Sequence, residues 1–551
     1  MNKEYSIIIG GAAGQGSRKA GLLIAKIFSQ LGYYIYIYED YQSLIKGGHN
    51  FSQIIASEKK NPALKSELNF LLALDQNTID RHQKKLKKDG LLFFNSNKIS
   101  AEGIGIPADE ILKECDGLPI MANTALIAGM AKGLGIDWEL LRRVLEQELP
   151  KEKDKNLIIA ERAYNQAKQI FVVEKTGSSI CDLMTGNEAI AQGLVKAGLE
   201  IYFAYPMTPA SSILHYLASH QKDWGVLAVQ PESEIAVASE ALGAAYAGKR
   251  TAVGTSGGGF SLMVESLSMA AQAELPFLAI DSQRMGPATG VPTYGAQSDL
   301  LFTLYAGHGD FKRFVAAPSN AEESFYWAGT LLNLAWKYQT PAILLTDKDV
   351  SEGTFSIESE LFKQIKKQEA LLWNQKGEYQ RYKITNKGIS PLAFPGQANA
   401  IIKSNSYEHN EFGITEEVDK DIIEAMQNKR LVKYKAMEEE AEKLPALKIF
   451  GNQNSKIAVV AWGSTVLTAC EAVENLELKL IQPILISPFP KKQMQAALRG
   501  VEKIICVEAN ALGQMAMLLE EQGFPVFQKI LKYKAELFSV EELKEELQKI
   551  I

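Results

Sequence analysis

Short apolar runs closed by glycine, proline or small polar residues alternate with longer stretches of helical periodicity along most of this chain, the signature of an α/β protein. In the first third, strands are predicted at 5–9, 34–38 and 91–94 and helices at 22–28, 124–133 and 138–148. A basic helix face is expected from Arg81, Lys84, Lys85, Lys87 and Lys88. The charged run 150–155, a further helix and Lys175-Thr176-Gly177-Ser178-Ser179 read as a linker, so a first domain closes near 175. A second begins with a helix at 186–198. It continues with strands at 199–204, 226–230, 251–255, 277–281 and 342–346 and a helix of small residues at 235–248. From 351 the pattern loosens into a polar segment, and strands at 457–461, 483–487 and 503–507 alternate with helices in a last, smaller unit. The expected domains are 1–175, 176–370 and 446–551, all α/β, with 371–445 as a connecting segment.

Composition narrows the class. With 551 residues the chain has room for several cores. A formal charge of −6 argues against a sequence-independent nucleic-acid binder. Cys115, Cys181, Cys470 and Cys506 are scattered and form no ligand pair, so neither an iron–sulfur cluster nor a zinc site is encoded locally, and no metal ligands are expected on this chain. The N-terminal residues run directly into a strand pattern without a signal-peptide core, and no stretch approaches a membrane span, so a cytoplasmic protein is expected.

Candidate chemistry gathers at the ends of the predicted strands, where a parallel sheet binds its ligands. Tyr205-Pro206-Met207-Thr208-Pro209-Ala210-Ser211-Ser212 is stiffened by two prolines and presents a threonine hydroxyl, and Ser211 or Ser212 is expected to cap the helix that follows. The same Pro-Thr-Pro also serves as ordinary turn punctuation. Glu234 stands at the start of the small-residue helix, where a carboxylate also simply complements the helix dipole. The loop after strand 277–281 carries Arg284, Thr289 and Thr293 among glycines and prolines, a set able to hold a carboxylate, although a surface ion pair would equally explain the arginine. Near the N-terminus, Gly10 to Gly16 with Glu39 or Asp40 offers a rival site, a nucleotide-dependent oxidoreductase. Its glycines run G-x-x-G-x-G, however, and a tight packing turn accounts for them as well. His409 lies between carboxylates and is expected in a structural hydrogen bond. Gly463-Ser464-Thr465 and Glu508-Ala509-Asn510 fall at strand ends where a ligand or partner would dock.

In this order the segments resemble the fused gamma-alpha subunit of a 2-oxoacid:ferredoxin oxidoreductase of the 2-oxoglutarate type. Gly10 to Gly16 is similar to the gamma glycine motif, with Ala13 where glycine is usual. Tyr205 to Ser212 matches the alpha signature, with Met207 where isoleucine is common. Glu234 to Gly248, Arg284 to Asp299, His308-Gly309-Asp310, Glu408 to Gly413, Asn428-Lys429-Arg430 and Glu508 to Gln514 agree with further family segments.

The resemblance implies a thiamine-diphosphate pyrimidine-binding domain, a transketolase C-terminal-like domain, and CoA-dependent oxidative decarboxylation of a 2-oxoacid, 2-oxoglutarate favoured, with electrons passed to ferredoxin. It makes Glu234 the residue that activates thiamine pyrophosphate, with Tyr205 and Pro206 beside the cofactor. Arg284, Thr208 and the weaker candidate Thr293 then bind substrate. The family's diphosphate motif, G-D-G followed by paired asparagines, is absent, as are cluster cysteines. A separate beta subunit is therefore expected to bring the diphosphate, Mg²⁺ and iron–sulfur sites. A noncatalytic interaction subunit is the remaining alternative.

Overall fold

The computed structural model describes residues 3–42, 48–177 and 180–551, so Ser178-Ser179 of the expected linker lies outside the described residues. The chain forms two compact units. The first comprises Met1–Met184 with Glu352–Ser359 and Phe538–Glu545, and the second Thr185–Ser351, Glu360–Leu537 and Glu546–Ile551.

In the first unit the isoleucine-rich strand Glu4–Ala12 is central to a mixed sheet. It pairs parallel with Leu68–Ala73 and antiparallel with His49–Ser57, so that Ile7 lies between Phe70 and Ile54. Helices Ser17–Gln30, Ala122–Gly133 and Trp138–Glu148 bury their apolar stripes in one core with Ile7, Ile9, Phe70 and Phe93. The expected basic helix is cut short. Asp75 caps a helix over Gln76–His82 by accepting the amide of Thr78 at 2.9 Å, and Lys87 and Lys88 already belong to strand Leu86–Asn95.

The dinucleotide-type reading of this unit loses its geometry. Tyr34–Asp40 does not neighbour Glu4–Ala12, because His49–Ser57 lies between them, antiparallel to both. Glu39 is buried and accepts the Ser52 hydroxyl at 2.7 Å. A Cβ at Gly10 would stand 2.8 Å from Thr78 Cγ2 and 2.9 Å from His49 Cε1, so this glycine permits close packing of protein on protein.

The second unit contains two sheets. The larger runs Leu485–Ser487, Phe314–Ala316, Pro341–Asp347, Phe277–Gln283, Thr251–Thr255, Ile201–Phe203, Leu227–Val229, parallel throughout except for the first strand. The smaller runs Leu447–Gly451, Lys479–Pro483, Ile457–Ala461, Lys503–Glu508, Gln528–Leu531. The strand expected at 483–487 is thus two strands in two sheets. The sheets share one apolar core that includes Phe277, Ile343, Val460, Trp462 and Ile481. The polar connecting segment holds an element the periodicity does not reveal, the helix Lys420–Ala441.

In the larger sheet the chain passes from Ile201–Phe203 outward to Leu227–Val229, then back across to Thr251–Thr255 on the other side. The connections after Ile201–Phe203 and Thr251–Thr255 therefore leave in opposite directions and open a crevice at the carboxyl ends of these strands.

Candidate active site at the strand reversal

Tyr205 to Ser212 forms one wall of that crevice. The Thr208–Pro209 peptide is cis, and the next helix, Ser211–Trp224, begins with Ala210 at its N-cap and no side-chain cap. The expected serine cap is absent because both serines lie inside the first turn, which a backbone bond from Ser211 N to Met207 O opens at 3.1 Å. Asn187 ties the loop down instead. It is fully buried, and its Nδ2 donates to Pro209 O at 2.8 Å and to the Ser212 hydroxyl at 2.7 Å. Sequence reasoning missed this residue, since an asparagine early in a helix carries no local signal of a tertiary bond.

Glu234 is the first residue of helix Glu234–Tyr246, which Ser233 caps by accepting the Ala236 amide at 3.3 Å. Helix-dipole complementarity alone would leave its carboxylate in water, but Glu234 is 5% exposed and its Oε1 has no hydrogen-bond partner. The crevice floor is shaped to admit it. A Cβ on Gly259 would lie 2.1 Å from Thr255 Oγ1 and 2.6 Å from Glu234 Oε1, so only glycine lets the carboxylate and this turn approach so closely. Thr255 Oγ1 also reaches Met207 Sδ at 3.9 Å, which joins the Glu234 side of the crevice to the Tyr205–Ser212 wall.

Arg284 follows strand Phe277–Gln283 and turns back onto the same wall, its Nη1 donating to Thr208 O at 3.0 Å. It forms no ion pair with a described residue, and its buried Nε has no acceptor. The surface ion-pair explanation for this arginine is therefore set aside. Thr208 itself makes no side-chain hydrogen bond to a described residue, so its hydroxyl is available.

Two carboxyl groups not singled out from the sequence complete the crevice. Asp281 is fully buried with neither carboxyl oxygen hydrogen-bonded, and burial, reinforced by the neighbouring Asp299, holds its pKa well above the usual carboxylate range. Burial likewise pushes Asp299 up to about 6, opposed by a hydrogen bond from Ser298 and by the Arg284 charge. A carboxyl kept neutral can donate a hydrogen bond. An aspartate on a strand reads as a strand end, so only the tertiary pairing with Asp299 marks the site.

The structure thus brings Thr208, Glu234 and Arg284 to one crevice. Thr293 is buried within the Arg284 loop, where Met285 N bonds to Tyr294 O at 3.1 Å, but it makes no hydrogen bond to Arg284 or Thr208. Tyr205 is 40% exposed at the outer end of the wall, and Pro206 is partly exposed. The strand ends of the smaller sheet dock within the chain: Gln297 Oε1 accepts the Ala509 amide at 2.8 Å, and Asp347 accepts the Ser464 amide at 3.0 Å. His409 is buried, with Nδ1 2.9 Å from Tyr407 O and its ring packed on Tyr382, a structural placement. No cluster of metal-binding side chains occurs among the described residues.

The thiamine diphosphate-binding model of pyruvate flavodoxin/ferredoxin oxidoreductase matches residues 192–429, a range that includes Thr208, Glu234 and Arg284. The pyruvate ferredoxin/flavodoxin oxidoreductase model matches 6–166, and the pyruvate:ferredoxin oxidoreductase core domain II model matches 455–534. A 2-oxoacid:ferredoxin oxidoreductase subunit alpha from Sulfolobus sp is 31% identical over 620 residues, covering 100% of this chain and 97% of the relative. Its counterpart from Saccharolobus solfataricus is also 31% identical, covering 100% and 98%. The solved 2-oxoglutarate:ferredoxin oxidoreductase from Magnetococcus marinus, with 2-oxoglutarate, coenzyme A and succinyl-CoA bound, superposes with a TM-score of 0.91 at 28% identity over 100% of both chains. With full-length kinship of this kind, the chain belongs to the 2-oxoacid:ferredoxin oxidoreductase family, among its alpha subunits.

Proposed function

We propose that this chain supplies the substrate-binding and cofactor-activating half of an active site that oxidatively decarboxylates a 2-oxoacid, 2-oxoglutarate favoured, to an acyl-CoA. A separate beta subunit supplies the diphosphate, Mg²⁺ and iron–sulfur sites through which electrons leave for ferredoxin. The observation that carries this reading is the buried, unpartnered Oε1 of Glu234 in the same crevice as an arginine that forms no ion pair with a described residue.

These residues fit thiamine diphosphate. An orphaned buried carboxylate oxygen needs a donor to offset its burial, and the aminopyrimidine ring is such a donor. When bound, the cofactor supplies the electron sink that decarboxylation beside a ketone requires. Glu234 would hold the ring and bias its protonation, with Tyr205 and Pro206 at the outer wall. Arg284, already oriented by the Thr208 carbonyl, offers its remaining N–H groups to the carboxylate common to all 2-oxoacids. The Thr208 hydroxyl donates to substrate beside it, and Thr293 lends support from the same loop. Asp281, kept neutral by its burial, adds no repelling charge beside that anion.

Co-purification with the partner subunit, followed by assay of 2-oxoglutarate, pyruvate and branched-chain 2-oxoacids with CoA and ferredoxin, tests the proposal. Turnover is expected from the complex only, and robust oxoacid-dependent dye reduction by the lone chain would refute the division of labour. In the complex Glu234→Gln should lower kcat by ~10²-fold or more, whereas Arg284→Ala should chiefly raise KM. Unchanged turnover in both variants would instead identify a noncatalytic subunit.

A further inference from the structure

Arg313 is a buried arginine of the second unit whose position calls for an anion away from the crevice. It immediately precedes strand Phe314–Ala316, at the amino end of the sheet, whereas the crevice lies at the carboxyl ends. Arg313 is 3% exposed, yet its partners are the Thr303 carbonyl at 3.2 Å and the Phe311 ring at 4.3 Å, and its Nε has no acceptor. No described carboxylate forms an ion pair with it. A buried cation without a counter-charge is costly, and burial accordingly draws this guanidinium down to about 10.

This side chain lines an open cleft of about 1130 Å³, large enough for a nucleotide-sized molecule. The charges around it are unequally committed. Of the acids, Glu438 pairs with Lys312, Glu442 accepts the amides of Lys492 and Gln493, and Glu521 accepts the Tyr305 hydroxyl at 2.6 Å. Glu439 makes no ion pair with a described residue, and Glu442 and Glu521 keep their charge because their donors are neutral, so six cations line the cleft against four carboxylates. Lys435, Lys443, Lys491 and Lys492, by contrast, form no ion pair with any described residue. Tyr305, 58% exposed, and Phe489 add aromatic faces to the same cleft. Uncommitted cations above a buried guanidinium, flanked by aromatic rings, match a phosphorylated molecule with a planar body.

We infer that the cleft lined by Arg313, Lys435, Lys443, Lys491 and Lys492 is a second ligand site, separate from the crevice, for a phosphate-bearing small molecule with an aromatic ring. The inference does not depend on the catalytic role proposed above. Calorimetric titration of the purified full chain with ADP, and separately with inorganic pyrophosphate, tests it at low salt. Saturable binding of ADP is expected, with weaker binding of pyrophosphate because it lacks the ring.

The paired substitution Lys435→Glu and Lys492→Glu, both on exposed side chains, should weaken ADP binding at least about tenfold. Arg313→Lys keeps the charge but loses the fork and should weaken it less. Absence of saturable binding by either probe would overturn the inference. ADP binding that is indifferent to the lysine reversals would place the nucleotide elsewhere and overturn it too.

Discussion

Glu234 illustrates how one residue changes meaning between sequence and structure. At a helix start a glutamate is ordinary, and only its burial against Gly259, with Oε1 unsatisfied, distinguishes it from the exposed Glu232 and Glu240 nearby. The same contact makes Gly259 testable. Gly259→Ala forces its methyl into Thr255 and Glu234, so a loss of about 1–3 kcal/mol is expected, read as a lowered Tm, together with reduced turnover of the complex.

Asp299 gives a pH signature. Its native pKa of about 6 lies above the ordinary 3.8, so the folded protein holds a proton that the unfolded chain releases. Stability contributed by this group therefore falls as pH rises between those two values, and Asp281 acts in the same sense. Asp299→Asn should leave Tm unchanged below this window and raise stability by about 1–3 kcal/mol near neutral pH. Scanning calorimetry of both proteins across the window checks the sign.

Among the elements, helix Lys420–Ala441 was hidden by its own charges. Its buried positions recur with helical spacing, but three of them are Lys429, Arg430 and Lys433, so no apolar stripe appears. The reason is Glu274, fully buried, which accepts Lys429 at 2.5 Å and Lys433 at 2.9 Å, while Arg430 pairs with Glu408. The two lysines hold the Glu274 carboxyl below its usual range despite burial. Glu274→Gln would leave buried ammonium groups without a counter-ion and should cost about 3–5 kcal/mol, measured by urea unfolding. A second limit of pattern reading lies at Lys479–Pro483 and Leu485–Ser487. A continuous apolar run fits a buried strand in either sheet, and nothing local states that it changes sheet at Ile484.

For the whole molecule, the smaller sheet is joined to the larger by more than chain continuity. Val460, Trp462 and Ile481 share a core with Phe277 and Ile343, and Gln297 exchanges hydrogen bonds with Ala509. A chain ending at residue 445 would expose that core, so loss of soluble, cooperatively folding protein is expected, checked by expression and circular dichroism. The α/β class, most strands and the stretches holding Thr208, Glu234 and Arg284 were determined by the sequence itself, because period and turn chemistry are local properties. Which strands became neighbours was decided only by tertiary structure. The antiparallel insertion of His49–Ser57 removed the nucleotide reading, and the strand reversal beside Ile201–Phe203 brought three distant residues to one crevice. Strand order and the burial of a polar atom depend on what packs against what, and that information is spread over the whole chain.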